Sequence, residues 1–410
     1  MPQLHRISNI IAHAASVSYT PRQVAKAYNA PIDTYDGTGQ TIGIIELGGA
    51  YNAADLKAYA AKLDVPAANV AVVNVGNGRP VSDGPKGADG EVMLDVEVVA
   101  AVAPGVHQRL YLCENTNAGF LAGIKQAVVE CGIVSISWGG AESSWDAATM
   151  DEYEQVLAAA RAKGVAVFVA SGDTGSRDST STNTVDFPAS SPSVIACGGT
   201  QLRLSDDGSR ASEVTWDDDD TQSATGGGVS KHFPGRQVPD LAGNASPTTG
   251  YQIRVDGGTY VIGGTSAVAP LYAAMTAIMR QASGASFDLL NLVLTNPTIA
   301  FDVTIGDNGG YKAGPGRDMT TGYGVLDVAR ALAVLTSGTQ VPAPGGNPAP
   351  TPTPTPAPEP VQPIPAPPVT ANPLDGFPFA DYRAFEAHPY SLSKRRIFIA
   401  RVNAWILARD

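Results

Sequence analysis

Residues 263–270 read Gly-Gly-Thr-Ser-Ala-Val-Ala-Pro, between the apolar run Tyr260-Val261-Ile262 and a helical pattern that begins at Ala267. The small residues permit a sharp turn and the close approach of a second chain. Ser266, at the start of the helix, would sit among backbone N–H groups that have no helical partner and at the positive end of the dipole. That setting suits a nucleophile whose attack creates an oxyanion. Thr-Ser ahead of a helix is equally an N-cap pattern. Upstream, Gly90-Glu91-Val92-Met93-Leu94-Asp95-Val96 places Glu91 and Asp95 at i and i+4, on one helical face. Two carboxyls that close can share a proton, one serving as base and the other as its support. On a solvated helix the same spacing is no more than a pair of surface acids. The apolar neighbours Val92, Leu94 and Val96 favour burial and hence the first reading.

Asp173, in Ala170-Ser171-Gly172-Asp173-Thr174-Gly175, directly follows the strand pattern of residues 165–170. Sites in open α/β sheets lie at that carboxyl edge. Asp173 either orders a turn or, protonated in acid, donates a hydrogen bond to an oxyanion. Ser135-Ile136-Ser137-Trp138-Gly139-Gly140 is a second strand end, with glycines that let an extended ligand pair with backbone. Phe301-Asp302-Val303 and Tyr311-Lys312-Ala313-Gly314-Pro315-Gly316-Arg317-Asp318 combine two acids with exposed carbonyls, the hard oxygens calcium prefers. The stretch lacks the periodic acids and closing glutamate of an EF-hand. A serine hydrolase of the usual kind needs a histidine base. Of the five histidines (His5, His13, His107, His232, His388), none stands in a recognisable catalytic context, and His107 is expected to end a helix as a partner of its dipole.

The elements that must hold these residues alternate. Strand patterns at 41–47, 70–75, 109–113, 132–137 and 165–170 are separated by helical patterns at 53–64, 90–103, 118–131 and 147–163. That order predicts βαβ units and a mainly parallel sheet with helices on both faces. Short strands are expected at 194–204 and 251–262, and helices at 267–282, 286–294 and 324–335. Residues 342–369 are so rich in proline that they can bury no core and read as a stiff spacer. Beyond it, Phe398, Val402, Trp405 and Ile406 fall on one face of a short basic helix, suited to a membrane surface or a partner protein, or equally to folding back on the chain's own surface.

The 410 residues carry a net charge of −12, which argues against nucleic acid as the main partner. Cys113, Cys131 and Cys197 are widely spaced in apolar surroundings and read as buried thiols. No run of about 18 apolar residues is present, and the N-terminus lacks the continuous apolar stretch of an export signal.

Taken together these stretches resemble the sedolisin family of serine-carboxyl peptidases, of kumamolisin type. The matching residues include TPRQVAKAYNAP (20–31), GEVMLDVEVVAAVAPG (90–105), SISWGG (135–140), SGDTG (171–175), DFPASSPSVIACGGT (186–200), ATGGGVS (224–230), VPDLAGNASPTTGY (238–251), GGTSAVAP (263–270), FDVT (301–304) and AGPGRDMTTGYG (313–324). The resemblance implies a subtilisin-like α/β fold over residues 1–338, followed by a Pro-rich linker at 339–370 and a short tail at 371–410. It implies an acid-acting endopeptidase that cleaves polypeptides through an acyl-enzyme, with Ser266 as nucleophile, Glu91 as base, Asp95 as its support and Asp173 at the oxyanion. Ser137, Trp138 and Gly139 would flank the substrate. One Ca2+ would lie on the side chains of Asp302 and Asp318 and the carbonyls of Val303, Gly314 and Gly316. A monomer acting outside the cell is implied as well. The alternatives are a catalytically silent adhesion or structural module and a histidine-dependent subtilisin relative. Against the family pattern, the chain opens near the start of a mature enzyme without a prodomain, which reads as a truncated product or an unusual member. The segment Lys231–Gln237 is short, Arg317 stands where tryptophan is common, and Ser246 where aspartate is common.

Overall fold

The computed structural model describes residues 17–218 and 223–337, together with the backbone of residues 5–6. The spacer and tail expected at 339–370 and 371–410 lie outside the described residues.

Five parallel strands run from one edge of an eight-stranded sheet: β1 (Thr41–Glu46), β2 (Asn69–Asn74), β3 (His107–Leu112), β4 (Ile133–Ile136) and β6 (Ala166–Ala170), ordered β6-β4-β1-β3-β2 with β2 outermost. Beside β6 lies β8 (Ile195–Leu204), which is parallel to it. Antiparallel β9 (Arg210–Thr215) and parallel β10 (Leu241–Asn244) both pair with β8 and complete the sheet. A separate small sheet joins β5 (Trp138–Ala141) to β7 (Asp186–Phe187) and to the two-residue strand His5–Arg6. Alternation along the strands supplies two apolar layers. Ile42, Ile44, Leu110, Leu112, Ile133 and Phe168 face one core, while Ile45, Tyr111, Val134, Val167 and Val169 face the other. Period-two side-chain direction with both faces apolar is the pattern of a parallel sheet covered on both sides.

The first core is closed by α3 (Ala88–Val102) and α6 (Val268–Ser283), which pack on each other, with side chains added by α1 (Pro21–Ala27), α2 (Ala53–Lys62) and α7 (Leu289–Thr295), and the second by α4 (Asn117–Glu130) and α5 (Ala147–Ala162). Every residue of α3 is buried. A helix with no solvent face is normally apolar all round, yet α3 carries Asp89, Glu91, Asp95 and Glu97.

Two expectations change. The helix expected from 324 begins at Val328, because Val325–Leu326 instead pairs antiparallel with Ala300–Phe301. His107 does not end a helix. It opens β3, five residues beyond the end of α3, with Nδ1 3.0 Å from Asn69 Nδ2. The three cysteines are buried free thiols. Among the described residues, no helix is long and apolar enough to cross a membrane.

Candidate active site

Ser266 lies in a 3-10 turn, Thr265–Ala267, immediately ahead of α6, and is fully buried. The N-cap of α6 is Ala267, with no side-chain cap, so Thr265 and Ser266 do not perform the capping role their types suggest. Gly264 leads into the turn at φ 130, a conformation closed to most side chains. Its N–H donates to the Ala245 carbonyl at 2.6 Å, which pins the turn to the end of β10.

Below the turn, α3 presents Glu91 and Asp95, both fully buried. The Ser137 hydroxyl lies 2.8 Å from Asp95 Oδ2, 3.0 Å from Oδ1 and 3.2 Å from the Ser266 carbonyl, linking the carboxyl to the backbone of the serine turn. A third carboxyl, Glu46 at the C-terminal end of β1, joins this pair and is also fully buried. The Trp138 indole donates to Glu46 Oε2 at 2.8 Å. Burial, and then the charge of Glu91, raise the Glu46 pKa well above the carboxylate range. Burial raises Asp95 in the same direction, followed by the charges of Glu46 and Glu91, while the Ser137 hydrogen bond opposes the shift. Three carboxyls so close and so dry cannot all be ionised, so the group holds protons that it can pass on.

On the other side of Ser266, Asp173 Oδ1 accepts from the Thr265 N–H and the Thr265 hydroxyl, both at 2.8 Å. Thr265 Oγ1 also receives the Gly172 N–H at 3.1 Å. The turn carrying Asp173 and the turn carrying Ser266 are thereby tied together. Chemically the arrangement offers a hydroxyl, a proton-holding carboxyl group and a further acid at the edge of the sheet.

Of the residues expected to flank a substrate, Ser137 and Trp138 turn their side chains inward, to Asp95 and Glu46. Trp138 is only 4% exposed. This leaves the strand's backbone as the part that can meet a ligand. Trp138 and Gly139 pair antiparallel with Arg6 and His5, so this edge accepts an extended chain. His107 and His232 lie elsewhere, the latter bonded to Asp151 at 2.8 Å. Glu46 and Thr265 escaped the sequence reading. The one usable signal was an acid closing the otherwise apolar strand Thr41-Ile42-Gly43-Ile44-Ile45-Glu46.

The proposed calcium ligands come together away from the serine. Asp302 Oδ2 accepts the Gly316 N–H at 2.7 Å. Asp318 Oδ2 accepts that of Gly314 at 3.0 Å, and its Oδ1 accepts the N–H groups of Thr320 and Thr321 at 2.9 and 2.8 Å. Burial raises the Asp302 pKa, with the nearby charge of Asp318 adding to it and the Gly316 N–H opposing it. Among the described residues no three His, Cys, Asp or Glu side chains gather as a metal site. The set here is two neighbouring carboxylates, each accepting N–H groups of the loop. Arg317 turns away, donating to the Gln237 carbonyl at 2.9 Å and to Asp240 at 3.2 Å.

The sequence model of the subtilase family matches residues 90–300. The chain is 44% identical over 364 residues to kumamolisin of Bacillus sp. (strain MN-32), a match covering 80% of this chain and 65% of that protein. It is 29% identical over 369 residues to sedolisin of Pseudomonas sp. (strain 101), covering 80% and 63%. The chain thus spans just under two thirds of the length of these relatives. Among solved structures, Pseudomonas sedolisin (serine-carboxyl proteinase) complexed with two molecules of pseudo-iodotyrostatin superposes with a TM-score of 0.72 at 29% identity, over 78% of this chain and 98% of that one.

Proposed function

The chain belongs to the subtilase family, in its sedolisin, kumamolisin-like branch, and from that premise we propose that it is an acid-acting serine endopeptidase. The observation that carries the reading is the buried group Glu46–Glu91–Asp95, linked through Ser137 to the turn that holds Ser266. Glu91 takes the Ser266 proton as the hydroxyl attacks a peptide carbonyl and returns it to the leaving amine. Asp95 and Glu46 hold the remaining proton of the group. A carboxyl group poised in acid can serve there as imidazole does at neutral pH. Asp173, in its protonated form, donates to the developing oxyanion, and an acyl-enzyme on Ser266 is then released by water. A polypeptide substrate lies along the edge Ser137-Trp138-Gly139 as an added strand, held by backbone hydrogen bonds. On this reading it acts on polypeptides as a monomer, outside the cell and in an acidic medium.

The loop at 301–318 fits one Ca2+. Asp318 disfavours the charge of its neighbour Asp302, and two such carboxylates with oxygen ligands only are the donor set a hard divalent cation takes. Asp302 and Asp318 would hold it by their side chains, and Val303, Gly314 and Gly316 by their carbonyls. When bound, the ion neutralises the two acids and fixes the loop.

The test is direct. Purified protein incubated with a denatured polypeptide from pH 3 to 8 should cleave it best in acid, and Ser266→Ala should cleave nothing. Equal cleavage by Ser266→Ala, or a maximum above pH 7 that is lost on replacing a histidine, would overturn the reading.

A further inference from the structure

Glu46, Glu91 and Asp95 are fully buried, and two loops close over them. The first, residues 47–52, leaves β1 directly after Glu46. The second, residues 78–84, lies between β2 and α3. The Val81 N–H joins them, donating to the Gly49 carbonyl at 3.0 Å. The first loop rests on the opening turn of α3. A Cβ on Gly49, which stands at φ 79, would come within 2.5 Å of the Ala88 carbonyl. One on Gly48 would lie 3.3 Å from Ala88 Cβ and 3.9 Å from the Trp138 indole. Ala88, Glu91 and Asp95 stand at i, i+3 and i+7, on one face of the helix. The loop that touches Ala88 and Trp138 therefore lies over the acid group, whose Glu46 carboxyl accepts from Trp138.

Both loops are tied down at Asp89, the second residue of α3, which is 1% exposed. Its Oδ1 accepts the Ala50 N–H of the first loop at 2.7 Å. Its Oδ2 accepts from the second loop: the Ser82 hydroxyl at 2.5 Å and the N–H groups of Gly84 and Asp83 at 2.8 and 3.2 Å. The Asp89 N–H in turn donates to Asp83 Oδ1 at 3.1 Å. One carboxyl is thus where two loops and the helix of Glu91 meet.

We infer that Asp89 is a latch that holds both loops closed over the acid group and keeps water from Glu46 and Glu91, a positioning residue for the proton transfer. The inference rests on the peptidase reading above. Burial is the first cause of the raised pKa values of Glu46 and Asp95, and the charges that add to it come from within the group. Asp89 is not among them, so it acts on the group by excluding water and not by its charge. The Cys113 thiol, pushed up to about 12 by burial and then by the charge of Glu46, stays protonated throughout. Around the latch itself stand Asp83, Asp55 and Asp256, with Lys86 in the segment that leads into α3. Burial, and then the charges of Asp89, Asp55 and Asp83, raise the pKa of Asp256.

An amide offers one acceptor oxygen where a carboxylate offers two, so Asp89→Asn keeps the size of the side chain and loses half of the latch. With water admitted, the acid group should give up its protons at lower pH. Glu91 must be ionised to take the Ser266 proton, so the acid limb of kcat/KM should move down by on the order of half a pH unit. The alkaline limb, set by Asp173, should stay in place. In the same variant kcat should fall roughly threefold to tenfold with little change in KM, because Glu91 is misplaced. Two readouts need no turnover. Trp138 fluorescence, taken as the difference from Trp138→Phe in each background, follows the Glu46 proton, and its pH midpoint should move down with the limb. Amide exchange in residues 47–52 and 81–84 should quicken roughly threefold or more. Ser82→Ala removes one donor of the latch and should show the same changes at smaller size, which keeps the test in hand where Asp89→Asn fails to fold. A midpoint that stays in place would overturn the latch, as would unchanged exchange in the two loops. Both limbs moving together would overturn it too, since Asp89 would then act through its charge. Unmodified protein that shows the Trp138 titration and the exchange difference but cleaves nothing would instead count against the peptidase reading alone.

Discussion

Glu91 cannot be assigned its proton separately from Glu46 and Asp95. Groups this strongly coupled titrate as one unit, and the pH dependence of turnover reports the unit. Glu46→Gln removes one anion from the group, so the carboxyls that remain should lose their protons at lower pH. The acid limb of kcat/KM should move down by on the order of one pH unit. A limb that stays in place would remove Glu46 from the proton-sharing set. Ser266→Ala and Glu91→Gln should each abolish most turnover, and the double variant should lose little more, because members of one catalytic unit are not additive. Losses that add would mean the two residues act separately. At this scale the sequence was legible where spacing alone makes a pair, as for Glu91 and Asp95 at i and i+4. It was silent where the third member comes from a strand 45 residues earlier in the chain, because no local pattern connects Glu46 to a helix it meets only through the sheet.

The parallel core was readable at the scale of elements because each βαβ unit is local: an apolar run, a helical run and a second apolar run appear in order. The region from 180 to 262 was less so, since β8 takes partners on both sides of it in sequence, β6 before it and β9 and β10 after it. Helix α8 (Val328–Ser337) starts late for a comparable reason, since residues with helical pattern are taken by a strand pair with Ala300–Phe301. The loop 313–324 is the element on which calcium should act. Its Asp318 and the nearby Asp302 already gather four backbone N–H groups, from Gly314, Gly316, Thr320 and Thr321, yet the charge of Asp318 still disfavours that of Asp302. Calcium bound only to the folded chain raises stability by mass action. A chelator should therefore lower the melting temperature, and calcium should restore it better than magnesium. Asp318→Ala should melt at the chelated temperature with or without calcium. Chelator-insensitive melting of the unmodified protein would take calcium out of the account.

Across the whole molecule the recurring feature is carboxyls placed where water is not. Glu46, Asp95, Glu97 and Asp186 all have raised pKa values, with burial the largest cause in each. Glu97, on the same buried helix as Glu91 and Asp95, is pushed up to about 9, and its Oε2 accepts the Arg254 N–H at 2.7 Å. An unfolded glutamate loses its proton near pH ~4.3. Between that value and about 9 the folded chain holds a proton that the unfolded chain has lost, so stability is greatest at the acid end of this window and falls as pH rises. The other three acids act in the same direction. So does the net charge of −12, whose self-repulsion eases as surface acids protonate. The opposing groups are acids with lowered pKa, such as Asp36 and Glu130, whose contribution fails only when pH drops through the ordinary carboxylate range. The melting temperature should therefore peak near pH 4 to 5 and decline steadily towards pH 8. Glu97→Gln keeps the shape and cannot ionise, so relative to the unmodified protein it should gain roughly 2 to 4 °C at pH 8 for each kcal/mol of penalty removed, and nothing at pH 4. Calorimetric scans across that range decide the matter. A peak at neutral pH, or a Glu97→Gln curve parallel to the original, would mean that these buried acids are solvated or paired in solution and do not set the acid preference of the fold.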